Sequence, residues 1–232
     1  MIRGIVFDLD HTLFDRYGTL RNVLPIFYAH YRNNIPESLS RENFIERFIQ
    51  IEKQYIHFGW HKLLQCCVDD GILVGIPEDA YRDVAQFILQ SCWTADAVPY
   101  PFTNTTLQKL RDMGYKVAII TNGSHDIQSK KIQLLGLQKY TDEIIISGDI
   151  GIHKPKPEPF NVMSQRLGIP AEELLYVGDH PVNDVDGSRN AGYTPVWVKT
   201  TGYWSFDDVP RAAYEVETVE EIPALVDAIN GK

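Results

Sequence analysis

The sequence has little of what a membrane-spanning, exported or nucleic-acid-binding protein needs. No apolar run is longer than about six of the 232 residues. A membrane helix takes about 20, so none is expected. The opening MIRGIVFDLD reaches two aspartates within ten residues. That leaves no room for the apolar stretch and small-residue cleavage site of an export signal, so a cytoplasmic location is expected. The three cysteines, Cys66, Cys67 and Cys92, cannot complete a disulfide framework and have no Cys/His ligand spacing. They read as reduced thiols. Basic residues are in deficit, with 22 Lys and Arg against 31 Asp and Glu and a net charge of −9. An acidic surface repels phosphate backbones, which excludes nucleic acid as the main partner. Internal repeats and low-complexity tracts are absent. Asn104-Thr105-Thr106 fits a glycosylation triplet, a coincidence in a chain that is not exported. What is present is ordinary: 44% hydrophobic and 23% charged residues, the balance of a globular protein with one large domain or a core carrying one inserted module.

The chain reads in three stretches. Ile2 to Leu9 is short, apolar and rich in β-formers, the pattern of a buried parallel strand ending at Asp8. From about Tyr17 to Asp96 the apolar residues recur at helical spacing: Leu20, Val23, Leu24, Phe27 and Tyr31, then Phe44, Phe48, Ile51 and Tyr55, then Tyr81, Val84, Ile88 and Leu89. A shorter helical piece lies near His61 to Val68, Ser40 is placed to cap the second helix, and Pro77 opens the last. No strand is expected there. After Pro99, strands at Val117–Ile120, Glu143–Ser147, Leu174–Val177 and Pro195–Val198 alternate with helices at Thr105–Met113, Asp126–Leu135, Pro157–Leu167, Val182–Ala191 and Val219–Ile229. Alternation of this kind gives a parallel sheet wrapped by helices. The fold class is therefore α/β, a Rossmann-like parallel sheet core over 1–14 and 97–232 with an all-helical cap inserted over 15–96.

In open α/β sheets the ligand crevice lies beyond the carboxyl ends of the strands, and four such ends carry polar groups here. The first delivers Asp8 and Asp10, followed by His11. The second delivers Thr121, Asn122 and Gly123. Lys154 follows the third, and the fourth delivers Asp179, with Asp184 five residues on. Four carboxylates around one point repel: a like pair at 4 Å costs about 4 kcal/mol at an effective dielectric of 20. An ammonium, Lys154, and a divalent cation relieve this. Oxygen-only ligands suit Mg²⁺, which often takes substrate phosphate as a further ligand. Alternate residues of a strand face the same way, so Asp8 and Asp10 are expected to address one substrate, as nucleophile and proton donor.

Asp8-Leu9-Asp10-His11-Thr12-Leu13, Thr121-Asn122-Gly123, Lys154-Pro155 and Gly178-Asp179-His180-Pro181-Val182-Asn183-Asp184 resemble, in their order, the four motifs of the haloacid dehalogenase superfamily. The insertion resembles that superfamily's helical C1 cap. The resemblance implies phosphoryl transfer through an aspartyl-phosphate. Asp8 would attack phosphorus in line. Asp10 would protonate the leaving oxygen and then deprotonate water. Thr121 would hydrogen-bond a phosphoryl oxygen, and Lys154 would hold Asp8 and the phosphate. Mg²⁺ would be bound by Asp8, the Asp10 main-chain carbonyl and Asp179, with Asp184 ligating through water or orienting Lys154. Asn122, Gly123 and His11 are the candidate substrate contacts. The dehalogenases of the superfamily lack the second aspartate, so Asp10 favours a phosphatase. His11 stands where many relatives have glycine.

The expected partner is a small phosphorylated metabolite, handled by a monomer or homodimer. A sugar-phosphate mutase shares the whole constellation. Two readings from other classes compete. A signalling receiver domain is about half this length and does not carry its aspartate ahead of an 80-residue insertion. A silent metabolite-binding relative would lack a catalytic residue. In the cap, His57, Trp60, His61 and Lys62 cluster around Gly59 and suit a sugar or nucleoside face, against the blander reading of packing and surface. Arg21 and Asn22 are further candidates. Asp15 reads as a helix cap, and Tyr203-Trp204 as packing or a dimer contact.

Overall fold

The computed structural model describes residues 1–89, 97–200, 204 and 206–231. The chain divides into two compact units, Met1–Asp15 with Pro99–Lys232, and Arg16–Val98.

The first unit is built on a six-stranded sheet: β1 (Gly4–Phe7), β2 (Lys116–Thr121), β3 (Glu143–Ile146), β4 (Leu174–Gly178), β5 (Thr194–Val198) and β6 (Tyr214–Val216). Its order is β3-β2-β1-β4-β5-β6, and every neighbouring pair is parallel. β1 and β4 are buried at every residue and β2 from Val117 onward. That is why these strands are continuous apolar runs: a parallel strand covered on both faces has no side for polar residues. The second unit holds α1 (Arg16–His30), α2 (Arg41–Tyr55), α3 (Gly59–Asp69) and α4 (Tyr81–Phe87). The first unit continues with α5 (Thr103–Asp112), α6 (His125–Leu134), α7 (Ser147–Ile150), α8 (Glu158–Leu167), α9 (Gly187–Asn190) and α10 (Ile222–Asn230).

The register fixes where the chemistry can sit. Phe7 pairs with Ile119 on β2 and with Val177 on β4. The residues just beyond, Asp8, Thr121, Gly178 and Asp179, therefore emerge at one edge. The chain's strand order reverses between β1 and β4, the point at which such sheets open a crevice.

Several elements depart from the sequence expectation. β1 stops at Phe7, one residue short of the expected end at Asp8, because the chain turns soon after: the Leu9 carbonyl accepts the amides of Thr12, Leu13 and Phe14. Asp8 and Asp10 thus do not lie on one regular strand, and strand alternation does not orient them. β6 was not expected. It has three residues, two of them exposed, and its core signal is Val216 alone. The expected helix from Val182 is a wide π-helical turn, Pro181–Asp186, running into α9. α5 starts at Thr103, two residues early, and Ser147 opens the single turn of α7 where the sequence still read as strand.

One face of the sheet packs Val6, Ile120 and Tyr176 against Phe160 and Met163 of α8 and against Tyr193. In the second unit Phe27 sits at the centre, stacked on Tyr31 and Phe44 at 4.6 and 5.9 Å between ring centroids. Ser40 caps α2 by accepting the Asn43 amide. Among its described residues the second unit has no strand. Cys66 and Cys67 are free thiols, and Cys92 lies outside the described residues. Among the described residues no helix is long and apolar enough to cross a membrane.

Two stability predictions follow from buried polar groups. Arg16 and Glu52 form an ion pair with side chains 7% and 0% exposed. Glu52→Ala leaves the guanidinium without its carboxylate and is expected to cost about 3–5 kcal/mol, whereas Arg16→Met with Glu52→Leu loses much less. Urea unfolding of the two variants measures the difference. Tyr193 donates its hydroxyl to the Phe160 carbonyl at 2.7 Å, and burial pushes its pKa up to about 12. The unfolded phenol ionises near 10. The folded state therefore keeps this contribution below pH 10 and loses it as pH rises from 10 through 12, on the order of 3 kcal/mol at most. Tyr193→Phe is expected to remove that part of the alkaline destabilisation, read from unfolding free energies between pH 9 and 12.

Candidate active site

Lys154 organises the crevice. Its ammonium, 2% exposed, donates to Asp8 Oδ1 at 2.6 Å and Asp184 Oδ1 at 2.7 Å. It also lies 2.8 Å from the Tyr176 hydroxyl and 3.0 Å from the Ile120 carbonyl. Tyr176 in turn donates to that carbonyl at 3.1 Å. Burial by itself lowers the Lys154 pKa, but Asp184 and Asp8 outweigh it and hold the ammonium well above its usual range. Burial pushes the Asp8 carboxyl well up, Lys154 pulls it down, and Asp184 and Asp179 push it up again.

The carboxylates of Asp8, Asp179 and Asp184 are buried, and each offers an oxygen within 4.8 Å of the others. Each is held by its element. The Asp8 amide extends the β1 ladder to the Val177 carbonyl at 2.9 Å. The Asp179 carbonyl accepts the Trp197 indole N–H at 2.8 Å. The wide turn after β4 brings Asp184 back, where Oδ2 accepts the His180 amide at 3.0 Å. His180 steadies the turn, its Nδ1 accepting the amides of Val182 and Asn183. Gly178 makes this approach possible: a Cβ there would lie 2.5 Å from the Asp184 carboxyl carbon. Three carboxylates against one ammonium leave two negative charges in a dry site. An all-oxygen donor set of that charge fits Mg²⁺.

Asp10 stands apart by its carboxylate. Lys131 of α6 donates to Oδ1 at 2.7 Å and Gln128 to Oδ2 at 3.0 Å. The ligand atom expected of Asp10 is its main-chain carbonyl, not this carboxylate. Thr121, the last residue of β2, accepts from Gln128. Asn122 holds the Lys154 main chain with both ends of its amide, at 2.9 Å each. The Gly123 amide donates to Ser147 Oγ at 3.0 Å, and Ser147 meets His153 Nδ1 at 2.6 Å. As placed, Asn122 and the Gly123 amide bind the chain's own loop. His11 is 4% exposed with φ of 61°. That left-handed conformation is one glycine adopts without strain and a side chain rarely does.

Sequence reasoning missed Tyr176, Gln128, Lys131, Ser147 and His153. For Tyr176 a signal existed, since a tyrosine inside a buried strand must find a polar partner. In the second unit, His61 pairs with Glu78 at 3.0 Å, Arg21 with Glu46 at 3.5 Å, and Trp60 lies under Arg16. Trp204 packs edge-on against Trp197 at 5.0 Å. Tyr203 lies outside the described residues.

The family model of haloacid dehalogenase-like hydrolases matches residues 5–198. The chain belongs to this family. Among the similar members, a glyceraldehyde 3-phosphate phosphatase of Methanopyrus kandleri is 29% identical across 97% of each chain. An N-acylneuraminate-9-phosphatase of Mus musculus is 28% identical across 100% of this chain and 96% of its own. The crystal structure of a HAD phosphatase from Thermococcus onnurineus covers 97% of this chain and 98% of its own, at 27% identity and a TM-score of 0.64. The parallel sheet described above is the haloacid dehalogenase-like core.

Gly178→Ala tests the close packing of the site. The added methyl must push Asp184 off Lys154, at an expected cost of about 1–3 kcal/mol. Urea unfolding measures the loss, and a crystal structure of the variant reads the Asp184–Lys154 separation, expected to exceed hydrogen-bonding distance.

Proposed function

We propose that the protein hydrolyses a small phosphorylated metabolite with Mg²⁺ through an aspartyl-phosphate on Asp8. The coarser statement, that the chain is a phosphatase of the haloacid dehalogenase-like hydrolases, follows from its family and its phosphatase relatives. The observation that carries the finer reading is the convergence of Asp8, Asp179 and Asp184 with Lys154 at 2.6 Å from the Asp8 carboxylate. The substrates for which the relatives are named, a glyceraldehyde phosphate and an acylneuraminate phosphate, support a small phosphorylated substrate.

An Asp8 oxygen attacks phosphorus, forming the acyl-phosphate bond as the bond to the leaving oxygen breaks, and that oxygen takes a proton from Asp10. Water then attacks the phosphorus, gives its proton to Asp10, and releases inorganic phosphate and free Asp8. Lys154 keeps the nucleophile in place and balances charge on it and on the phosphoryl oxygens. The Thr121 hydroxyl, last in β2, donates to a phosphoryl oxygen. Asp8, Asp179 and the Asp10 carbonyl would hold Mg²⁺, with Asp184 behind. The cation supplies the positive charge that lets a phosphate dianion share the site with three carboxylates.

The test is phosphate release from p-nitrophenyl phosphate. Release is expected with Mg²⁺, is abolished by EDTA, and falls at least about a thousandfold in Asp8→Asn, with circular dichroism unchanged. Near-normal turnover by Asp8→Asn would overturn the covalent mechanism.

A further inference from the structure

α6 carries two polar side chains that a solvated helix face does not explain. Gln128 and Lys131 are each 2% exposed and lie three residues apart, on one face of the helix. Lys131 reaches Asp10 Oδ1 at 2.7 Å, with its ammonium 5.1 Å from the centre of the Phe14 ring. The single amide nitrogen of Gln128 donates to Asp10 Oδ2 and to Thr121 Oγ1. One NH₂ group has two hydrogens, so both bonds are made at once. The turn between β2 and α6 leaves room for this. Gly123 has φ of 146°, and a Cβ there would lie 2.8 Å from Gln128 Cγ.

We propose that Gln128 and Lys131 are positioning residues for the proton transfer to the leaving group. The inference rests on the reaction proposed above, in which Asp10 protonates the leaving oxygen and Thr121 holds the phosphoryl group. Lys131 fixes one Asp10 oxygen and Gln128 the other. Because Gln128 also holds Thr121, the proton donor and the phosphoryl contact keep one relative geometry. The first chemical step is unchanged in its balance: Asp8–phosphorus forms, phosphorus–leaving oxygen breaks, and the Asp10 proton moves to that oxygen. The α6 pair sets only where that proton starts. Its effect must then grow with the leaving oxygen's need for a proton.

The test is kcat/KM, which reports the steps through phosphorylation of Asp8, for substituted phenyl phosphates from p-nitrophenyl to p-methylphenyl. Wild type, Asp10→Asn, Lys131→Met, Lys131→Arg and Gln128→Leu are compared. A nitrophenolate leaves without a proton and a methylphenolate needs one. In Asp10→Asn the methylphenyl ester is expected to lose about a hundredfold or more relative to the nitrophenyl ester. Lys131→Met is expected to lose about 10- to 100-fold on the methylphenyl ester and under about threefold on the nitrophenyl ester, whereas Gln128→Leu, which also releases Thr121, loses on both esters and at least about tenfold more on the methylphenyl ester. Lys131→Arg, which keeps the cation, recovers at least half of the logarithmic loss. Adding Lys131→Met to Asp10→Asn changes neither ester further, because the lysine acts through Asp10. Equal losses on both esters would make the α6 pair merely structural and overturn the inference, as would a gain on the methylphenyl ester. If Asp10→Asn itself shows no leaving-group dependence, the proton-donor role of Asp10 fails, and the inference with it.

Discussion

Burial of the Lys154 ammonium is the constraint from which the site is built. Removing an ammonium from water costs several kcal/mol unless its acceptors are already in place. Here they come from separate elements: Asp8 after β1, the Ile120 carbonyl of β2, the Tyr176 hydroxyl of β4 and Asp184 from the turn beyond. No local segment provides this set. The three strands must lie side by side in the order β2-β1-β4 before the lysine can enter. The lysine's own loop is tied down by Asn122. The polar centre therefore exists only with the correct sheet.

The parallel core was legible because its strands are buried on both faces and end in marked punctuation: Asp8, Thr121-Asn122-Gly123, Gly178-Asp179. Such ends specify what reaches the crevice edge, and Asp8, Lys154, Asp179 and Asp184 meet there. They do not specify where each side chain turns. Asn122 has the position of a ligand contact and the bonds of a loop clamp. Asp10 has the spacing of a strand neighbour of Asp8, but the chain coils at Leu9, and a helix about 120 residues later decides what its carboxylate meets.

The illegible residues share a physical cause: their value depends on burial, which residue type hides. Lys131 follows Lys130 in a helix with only a weak apolar face, a pattern that reads as solvated surface, yet it is buried. Tyr176 sits in the run Leu174–Gly178 and reads as one more apolar strand residue. β6 is too short, and too exposed, for alternation to register. The π-helical turn Pro181–Asp186 has no periodicity of its own, and its cause, the return of Asp184 over a side-chain-free Gly178, lies in tertiary packing.

The two aspartates near β1 are held by different lysines: Asp8 shares Lys154 with Asp184, and Asp10 pairs with Lys131. The pairs also differ in access to water. The Asp8 side chain is 10% exposed and its lysine 2%, whereas Asp10 is 22% exposed. As the proposed nucleophile, Asp8 gains from a dry, fixed setting, where attraction to the ammonium is strong and no water competes for its lone pairs. In the proposed reaction Asp10 gives up a proton and regains one in every cycle, which takes a route for protons and a pose that survives the exchange. An ion pair on one oxygen and an amide on the other leave such a carboxylate partly open and still oriented. Gln128 then connects the pair to Thr121, and so to the strand that also lends its Ile120 carbonyl to Lys154. Through β2 the drier cluster and the wetter one are built on the same backbone, and their spacing is set by the sheet, not by either lysine.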